Sequence, residues 1–215
     1  MHIVAINGSP RKNGNTFTLL DNAMRGAADR GAATEIIHLY DLRFTGCVSC
    51  FFCRVKGNVN LGRCAQKDDL SPVLEKVMAC DALLLGSPIY LHDITAMMRA
   101  FIERIIFMNL SYDLPRKPVP GKSIATAFFF TMNVTEQKSR EFRYPELFET
   151  NTSRFSILGG AAQYMACYDT YQFEDYSRYA AGMFDPVHKK QVRDTQFPLD
   201  CRRAYEIGAG LAGAL

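Results

Sequence analysis

The chain has 215 residues, of which 48% are hydrophobic and 22% charged, a balance that supports a sizeable core and fits one domain over residues 1–215. The net charge of +3 is small, no lysine or arginine run is interleaved with aromatics, and no apolar run approaches the roughly 20 residues that cross a bilayer, so neither nucleic acid nor a membrane is an expected partner. MHIVAIN lacks a basic stretch followed by a long apolar one, which points to the cytoplasm. In that reducing setting seven cysteines are not a disulfide framework, and their odd number would leave one unpaired.

HIVAIN is a β-branched run that stops at Gly8-Ser9-Pro10, as a buried parallel strand does. Phe17, Leu20, Met24, Ala27 and Ala28 then recur at helical spacing until Gly31. ATEIIHLY reads as a second strand, followed by an irregular cysteine-rich loop over about 44–67. Asp68-Asp69 opens a helix with Leu70, Val73, Leu74 and Val77 on one face. Asp81 to Ser87 is a third, central strand, Pro88-Ile89-Tyr90-Leu91 is a turn, and Met97 to Ile106 is a helix with a broad apolar face. SIATAFFF (Ser123–Phe130) and GGAAQYMAC (Gly159–Cys167) are the fourth and fifth strands, the polar stretch 133–156 contains a helix, and Cys201 to Leu211 is a last helix. Strands alternating with helices imply a parallel sheet covered on both faces, with ligands beyond the carboxyl ends of the strands. There is no internal repeat, low-complexity tract or linker.

GSPRKNGNT (Gly8–Thr16) joins the first strand to the first helix. Its small and polar residues, the charges of Arg11 and Lys12 and the free N–H groups of a helix start make a phosphate site. The bland alternative is a helix start capped by Asn15 or Thr16. The loop has neither the G-x-G-x-x-G of a dinucleotide fold nor the G-x-x-x-x-G-K-[ST] of a nucleotide-hydrolysing loop, so a different phosphate ester is expected. In Ser87-Pro-Ile-Tyr-Leu91 the proline stiffens the backbone past a buried strand and Tyr90 can flank a flat heterocycle; the alternative is a plain crossover with Tyr90 in the core.

GSPRKNGNT, the later GSPIYL after an apolar strand, and the order of elements resemble the NADPH-dependent FMN reductases of the flavodoxin-like superfamily over roughly residues 1–130. The resemblance implies a flavodoxin-like, doubly wound α/β fold with five parallel strands in the order 2-1-3-4-5. It implies that Ser9, Arg11, Asn13, Asn15 and Thr16 hold the FMN phosphate, and that Pro88, Ile89, Tyr90 and Leu91 run along the isoalloxazine ring. The loop near Thr131, Met132 and Asn133 would close the site. It also implies NAD(P)H as co-substrate and a homodimer or homotetramer.

Cys47-x2-Cys50-x2-Cys53-x10-Cys64 supplies four soft ligands in one loop. Thiolates select zinc or an iron–sulfur cluster, and two consecutive C-x2-C steps are similar to the start of a ferredoxin-type motif, whereas zinc sites more often use two separated pairs. The position resembles that of the cysteine motif in the iron–sulfur flavoproteins of the same superfamily, although the last gap, with Gly57, Asn58, Asn60 and Gly62, is longer than theirs. A 4Fe–4S cluster, a zinc ion, and cysteines packed as small hydrophobes beside Phe51 and Phe52 all remain open. Cys80, Cys167 and Cys201 read as core residues.

Histidines at 2, 38, 92 and 188 are scattered, and only His92 falls in a site loop, as a ligand contact or as a solvent-facing helix start capped by Asp93. The first functional reading is an FMN-dependent oxidoreductase passing reducing equivalents from NAD(P)H to a quinone, flavin or similar small acceptor. The second is an electron carrier in which a cluster at Cys47, Cys50, Cys53 and Cys64 and FMN serve a redox partner protein; the third is a zinc-stabilised binding module. Tyr164 to Tyr179 is rich in aromatics and begins a C-terminal extension over about 168–198, read as a pocket wall, a subunit contact or a core edge.

Overall fold

The computed structural model describes residues 1–55, 61–112 and 123–213. Five parallel strands, β1 (His2–Asn7), β2 (Ala33–His38), β3 (Ala82–Tyr90), β5 (Ile124–Thr131) and β6 (Gly159–Cys167), lie in the order β2-β1-β3-β5-β6. A two-residue strand, β4 (Asp93–Ile94), pairs antiparallel with the end of β3 and makes a sixth. The five long strands thus follow the flavodoxin-like order expected of them. No helix among the described residues is long and apolar enough to cross a membrane.

Alternation along the strands divides the core in two. Val4, Ile6, Leu83, Leu85, Phe128 and Phe130 point to one face, covered by α2 (Leu70–Ala79), α3 (Ala96–Asn109) and α5 (Tyr144–Ser153). Ile3, Ala5, Leu84, Ala127 and Phe129 point to the other, covered by α1 (Asn15–Ala28) and α6 (Pro186–Gly213). Phe128 stacks on Phe130 at 4.2 Å and Phe130 on Phe148 at 4.6 Å, so the apolar run that marks β5 in the sequence also anchors α5. Each such buried ring contributes roughly 1.5–3 kcal/mol.

Two sequence expectations are corrected. Pro88-Ile89-Tyr90 is not a turn but the last part of β3, with Pro88 in register with Thr131, Ile89 with Ile94 and Tyr90 with Asp93. The reversal comes at Leu91 and His92, whose positive φ values of 48° and 65° give the tight two-residue hairpin that matches strand twist. The last helix starts not near Cys201 but at Pro186. Its first half is polar and contains Pro198, which hides the periodicity, while pairs four residues apart, Lys190 with Asp194 and Gln196 with Asp200, support the helix from its own surface. The stretch 133–156 forms two helices, α4 (Glu136–Glu141) and α5, broken at Arg143, where φ is 60°.

α1 and α6 approach closely enough that a Cβ on Gly26 would strike the carbonyl of Tyr205, and one on Gly208 the carbonyl of Ala23. Glycine at both positions lets the two backbones touch, which fixes where the start of α6 lies over the sheet.

Candidate functional site

The carboxyl ends of β1, β3 and β5 open into a cavity of about 820 Å³, located where the strand order reverses about β1 and β3. That volume is in the usual range of roughly 300–1,000 Å³ for small-ligand and cofactor sites. Ser9, Arg11, Asn13, Asn15, Thr16, Pro88, Ile89, Tyr90 and Thr131 line it, as do Met132 and Asn133. Leu91 does not: it sits at the hairpin tip, 98% exposed, because the chain has already reversed there. His92 also points away, with Nδ1 bonded to the Tyr144 hydroxyl at 3.0 Å and its ring edge-on to Phe142.

The loop after β1 is shaped before any ligand arrives. Asn7, fully buried, accepts from the Ser9 N–H at 3.0 Å, and the Ser9 hydroxyl accepts from the Arg11 N–H at 3.1 Å. The other end of the Asn7 amide meets His38 Nδ1 at 3.0 Å. Burial pushes the His38 imidazole below its ordinary value, with Asp41 opposing and Lys12 assisting. Thr95 caps α3 and donates to the Gly8 carbonyl at 2.7 Å, tying the first loop to the third. The α1 start is different: Gly14 offers no side-chain cap, and no acidic residue occupies the first turn. Its N–H groups therefore face the cavity end without an anionic neighbour of their own, which is the electrostatic condition for an anion.

Beside the start of α1, the hydroxyls of Thr16 and Thr131 share a 2.8 Å hydrogen bond that joins the first loop to the end of β5. Burial raises the Tyr90 phenol above its ordinary value, so it remains a neutral donor. The Asn133 amide nitrogen donates to the Gln172 side chain at 2.6 Å, while its buried Oδ1 has no partner among the described residues. An orphaned acceptor on the wall, cations and free helix amides at one end, and an aromatic strand end between them fit a group with a phosphate tail and a flat head carrying N–H, as FMN has.

Sequence reasoning missed what holds the far wall. Lys189 of α6, 3% exposed, donates to the Asn133 carbonyl at 2.6 Å and ion-pairs with Asp169, which also meets His188 at 2.6 Å. Asp169 takes a positive φ of 53° and its N–H donates to the Val134 carbonyl at 2.8 Å, so the loop after β5 and the turn after β6 are clamped together. The aromatic stretch then contributes Tyr171, Phe173 and Tyr179 to the cavity, with Phe173 and Tyr179 stacked at 4.2 Å. No local pattern marks these partners, because the pairing spans about 20 residues along the chain for Asp169–Lys189 and far more for the loop contacts.

Cys47, Cys50, Cys53 and Cys64 line one small, separate cavity together with Phe51, Phe107 and Arg104. Its volume is about 10 Å³, room for a single water. Arg104 is 1% exposed; it donates to Asp68 at 2.7 and 3.2 Å and to the Thr45 carbonyl at 3.1 Å. Burial pushes the Asp68 carboxyl up, but the bond and charge of Arg104, with bonds from Ser71 and the Leu70 N–H, together outweigh this and its pKa falls below the ordinary value. Burial also raises the Cys53 thiol, against the nearby Arg54 charge. The donor set is that of a thiolate-bound group, but among the described residues no three metal-ligating side chains converge to hold an ion. Gly57, Asn58 and Asn60 of the last gap lie outside the described residues. Cys80 and Cys167 are buried as expected of core residues, and Cys201 is half-buried.

Fold and cavity together define a flavodoxin-like α/β protein with a large cavity at the switch point of its sheet. The chain belongs to the NADPH-dependent FMN reductase family, whose model matches residues 1–138. Among curated proteins it is similar to an iron–sulfur flavoprotein of Methanocaldococcus jannaschii, 32% identical over 117 residues, covering 54% of this chain and 58% of that protein. It is also similar to an iron–sulfur flavoprotein of Archaeoglobus fulgidus, 39% identical over 104 residues and 48% of each chain. The match thus spans about half the length of these relatives. Among solved structures, an NAD(P)H:quinone oxidoreductase from Methanothermobacter marburgensis superposes with a TM-score of 0.69 over 98% of both chains at 16% identity. An FMN-dependent NADH-azoreductase from Bacillus anthracis, in complex with FMN, superposes with a TM-score of 0.66 over 98% of this chain and 99% of that one at 11% identity. These two likenesses are of fold.

Proposed function

We propose that the protein is an FMN-dependent oxidoreductase that takes reducing equivalents from NAD(P)H and passes them to a quinone, flavin or similar small acceptor. The observation that carries the reading is the uncapped, acid-free start of α1 opening with Arg11 into the large cavity. Ser9, Arg11, Asn13, Asn15 and Thr16 bind the phosphate, chiefly through loop and helix N–H groups. Pro88, Ile89 and Tyr90 flank the ring, and Thr131 with Asn133 offers hydrogen-bonding groups to its polar edge. FMN, when bound, supplies the hydride and electron transfer, so the chain needs no acid–base residue of its own. The Phe173–Tyr179 wall excludes water on the open side and leaves an aromatic surface against which a planar acceptor can rest. In this reading residues 1–215 act as one domain, as a homodimer or homotetramer.

The test is a flavin assay on the purified protein, then NAD(P)H oxidation with and without a quinone. About one FMN per chain and acceptor-dependent turnover are expected. Protein that binds no FMN when reconstituted sinks the proposal.

A second reading, an iron–sulfur flavoprotein electron carrier with a 4Fe–4S cluster on Cys47, Cys50, Cys53 and Cys64, is supported by those residues lining one cavity and by the names of the curated relatives. It requires the four sulfurs to converge on one point, which three metal-ligating side chains nowhere do among the described residues. Iron and sulfide near four each per anaerobically purified chain would favour it; their absence with one FMN per chain leaves the cysteines as packing or oxidant-sensitive thiols.

A further inference from the structure

The family match ends at residue 138, yet the wall of the large cavity continues through Thr170–Asp175, Arg178, Tyr179 and Arg193. Arg193 lies on α6, remote in sequence from the phosphate loop, and reaches it directly: Nη1 donates to Asn15 Oδ1 at 3.0 Å. Its guanidinium carbon is 4.3 Å from the ring centroid of Phe197, one turn further along the helix, which fixes the plane of the fork. The Gly26 and Gly208 contacts hold α6 against α1 and set this reach.

The charges around the loop are not distributed evenly. Lys12 pairs with Asp41 at 2.7 Å, Lys190 with Asp194 at 2.6 Å, and Lys189 with Asp169. Among the described residues Arg11 and Arg193 have no carboxylate partner; Arg11 donates to the Gln172 carbonyl at 2.7 Å and Arg193 to Asn15. Of the acidic residues on the cavity wall, Asp175 is engaged by Ser177, and Glu174 is exposed. Three guanidinium groups without a carboxylate partner among the described residues, Arg11, Arg178 and Arg193, therefore line the cavity, and of these Arg193 bonds the Asn15 side chain at the start of α1. A phosphomonoester carries about −1.5 to −2 charges near neutral pH, and a guanidinium has five donors in a fork that matches its oxygens.

We propose that Arg193 is a phosphate-binding residue: α6 delivers it past Asn15 to the phosphate of the ligand, which is then held between the loop and α6 instead of by the loop alone. This rests on the FMN reading above and adds to it a ligand from outside the region shared with the family.

The test compares FMN with riboflavin, which has the same ring and no phosphate, by quenching of flavin fluorescence on the full chain stripped of flavin. Arg193→Gln is expected to raise the FMN dissociation constant about tenfold to a hundredfold, leave that of riboflavin within about twofold, and leave Tm within a few degrees. Arg193→Lys, which keeps the charge and loses the fork, is expected to fall between wild type and Arg193→Gln for FMN only. Equal weakening of FMN and riboflavin in both variants, or no change in FMN binding, overturns the proposal. The FMN reading itself fails separately, through wild-type protein that binds FMN no better than riboflavin or binds neither.

Discussion

The cavity at the strand ends is walled by many separate hydrogen bonds, each worth about 1 kcal/mol, together with the Lys189–Asp169 pair, whereas the cysteine cavity rests against Arg104, fully buried and paired with Asp68. The first arrangement leaves polar groups free to face a ligand: the α1 amides, Asn133 Oδ1 and two arginines. The second pairs its buried charge internally, leaving Arg104 Nε without a partner among the described residues, and its lining sets the thiols beside Phe51 and Phe107. A distributed wall loses little with any one contact; the loss of Arg104 leaves a carboxylate without its buried partner.

The largest expected effect is therefore on the cysteine side. Arg104→Met leaves Asp68 without its partner, and breaking a buried pair costs about 3 kcal/mol or more, read as a fall of roughly 6–12 °C in Tm. Faster reaction of the Cys47 and Cys50 thiols with a disulfide reagent should accompany it; an unchanged Tm would break the comparison. Next is Gly208→Ala, whose methyl has to push α6 off α1. Overpacking of this kind costs about 1–3 kcal/mol, and thermal melting should show it together with weaker FMN binding. Thr131→Val removes one hydroxyl bond of the distributed wall, and about 1 kcal/mol, a few-fold in FMN affinity by titration, is expected.

Acid should act on the phosphate loop through His38. Its folded pKa is depressed, mainly by burial, so the unfolded chain takes up the proton more readily. The stability this contributes is complete above the ordinary imidazole value of about 6.5 and is lost as pH falls through the lower folded value. Tm should drop between pH 7 and pH 5, and drop less in His38→Gln; equal drops would exclude His38 as the source. Smallest of all, Lys12→Ala removes an exposed pair with Asp41, and FMN binding should change by less than about threefold. A loss as large as that of Arg11→Gln would show that Lys12 leaves Asp41 for the ligand.

β1, β3 and β5 were legible because each is a dense apolar run, and the alternation of Val4 and Ile6 with Ile3 and Ala5 needs nothing beyond the run to sort the two cores. The loop from Gly8 to Thr16 was legible because its composition and its place after β1 state its chemistry locally. Leu91 was misplaced because sequence does not distinguish a strand that stops at Ser87 from one that runs to Tyr90 and reverses in a left-handed turn. The length of α6 was hidden by Pro198 and a polar face, and with it Lys189 and Arg193, whose partners lie on elements far away in the chain. The cysteine spacing announced four ligands, but the closure of their cavity depends on Arg104 and Phe107, which the periodicity of α3 marks only as helix.

The contact of α1 with α6 sets an order of events in the making of the protein. Lys189 and Arg193 emerge only about 180 residues after the loop from Gly8 to Thr16, and Gly208, which seats α6 against α1, later still. At a translation rate of roughly 5–20 residues per second this is a wait on the order of ten seconds or more. A nascent chain that has completed β5 already carries the strand ends and the loop, yet its cavity lacks one wall. Flavin loading would then be a post-translational step, and a chain arrested before α6 would expose the face of the sheet that α6 covers to whatever quality control meets it.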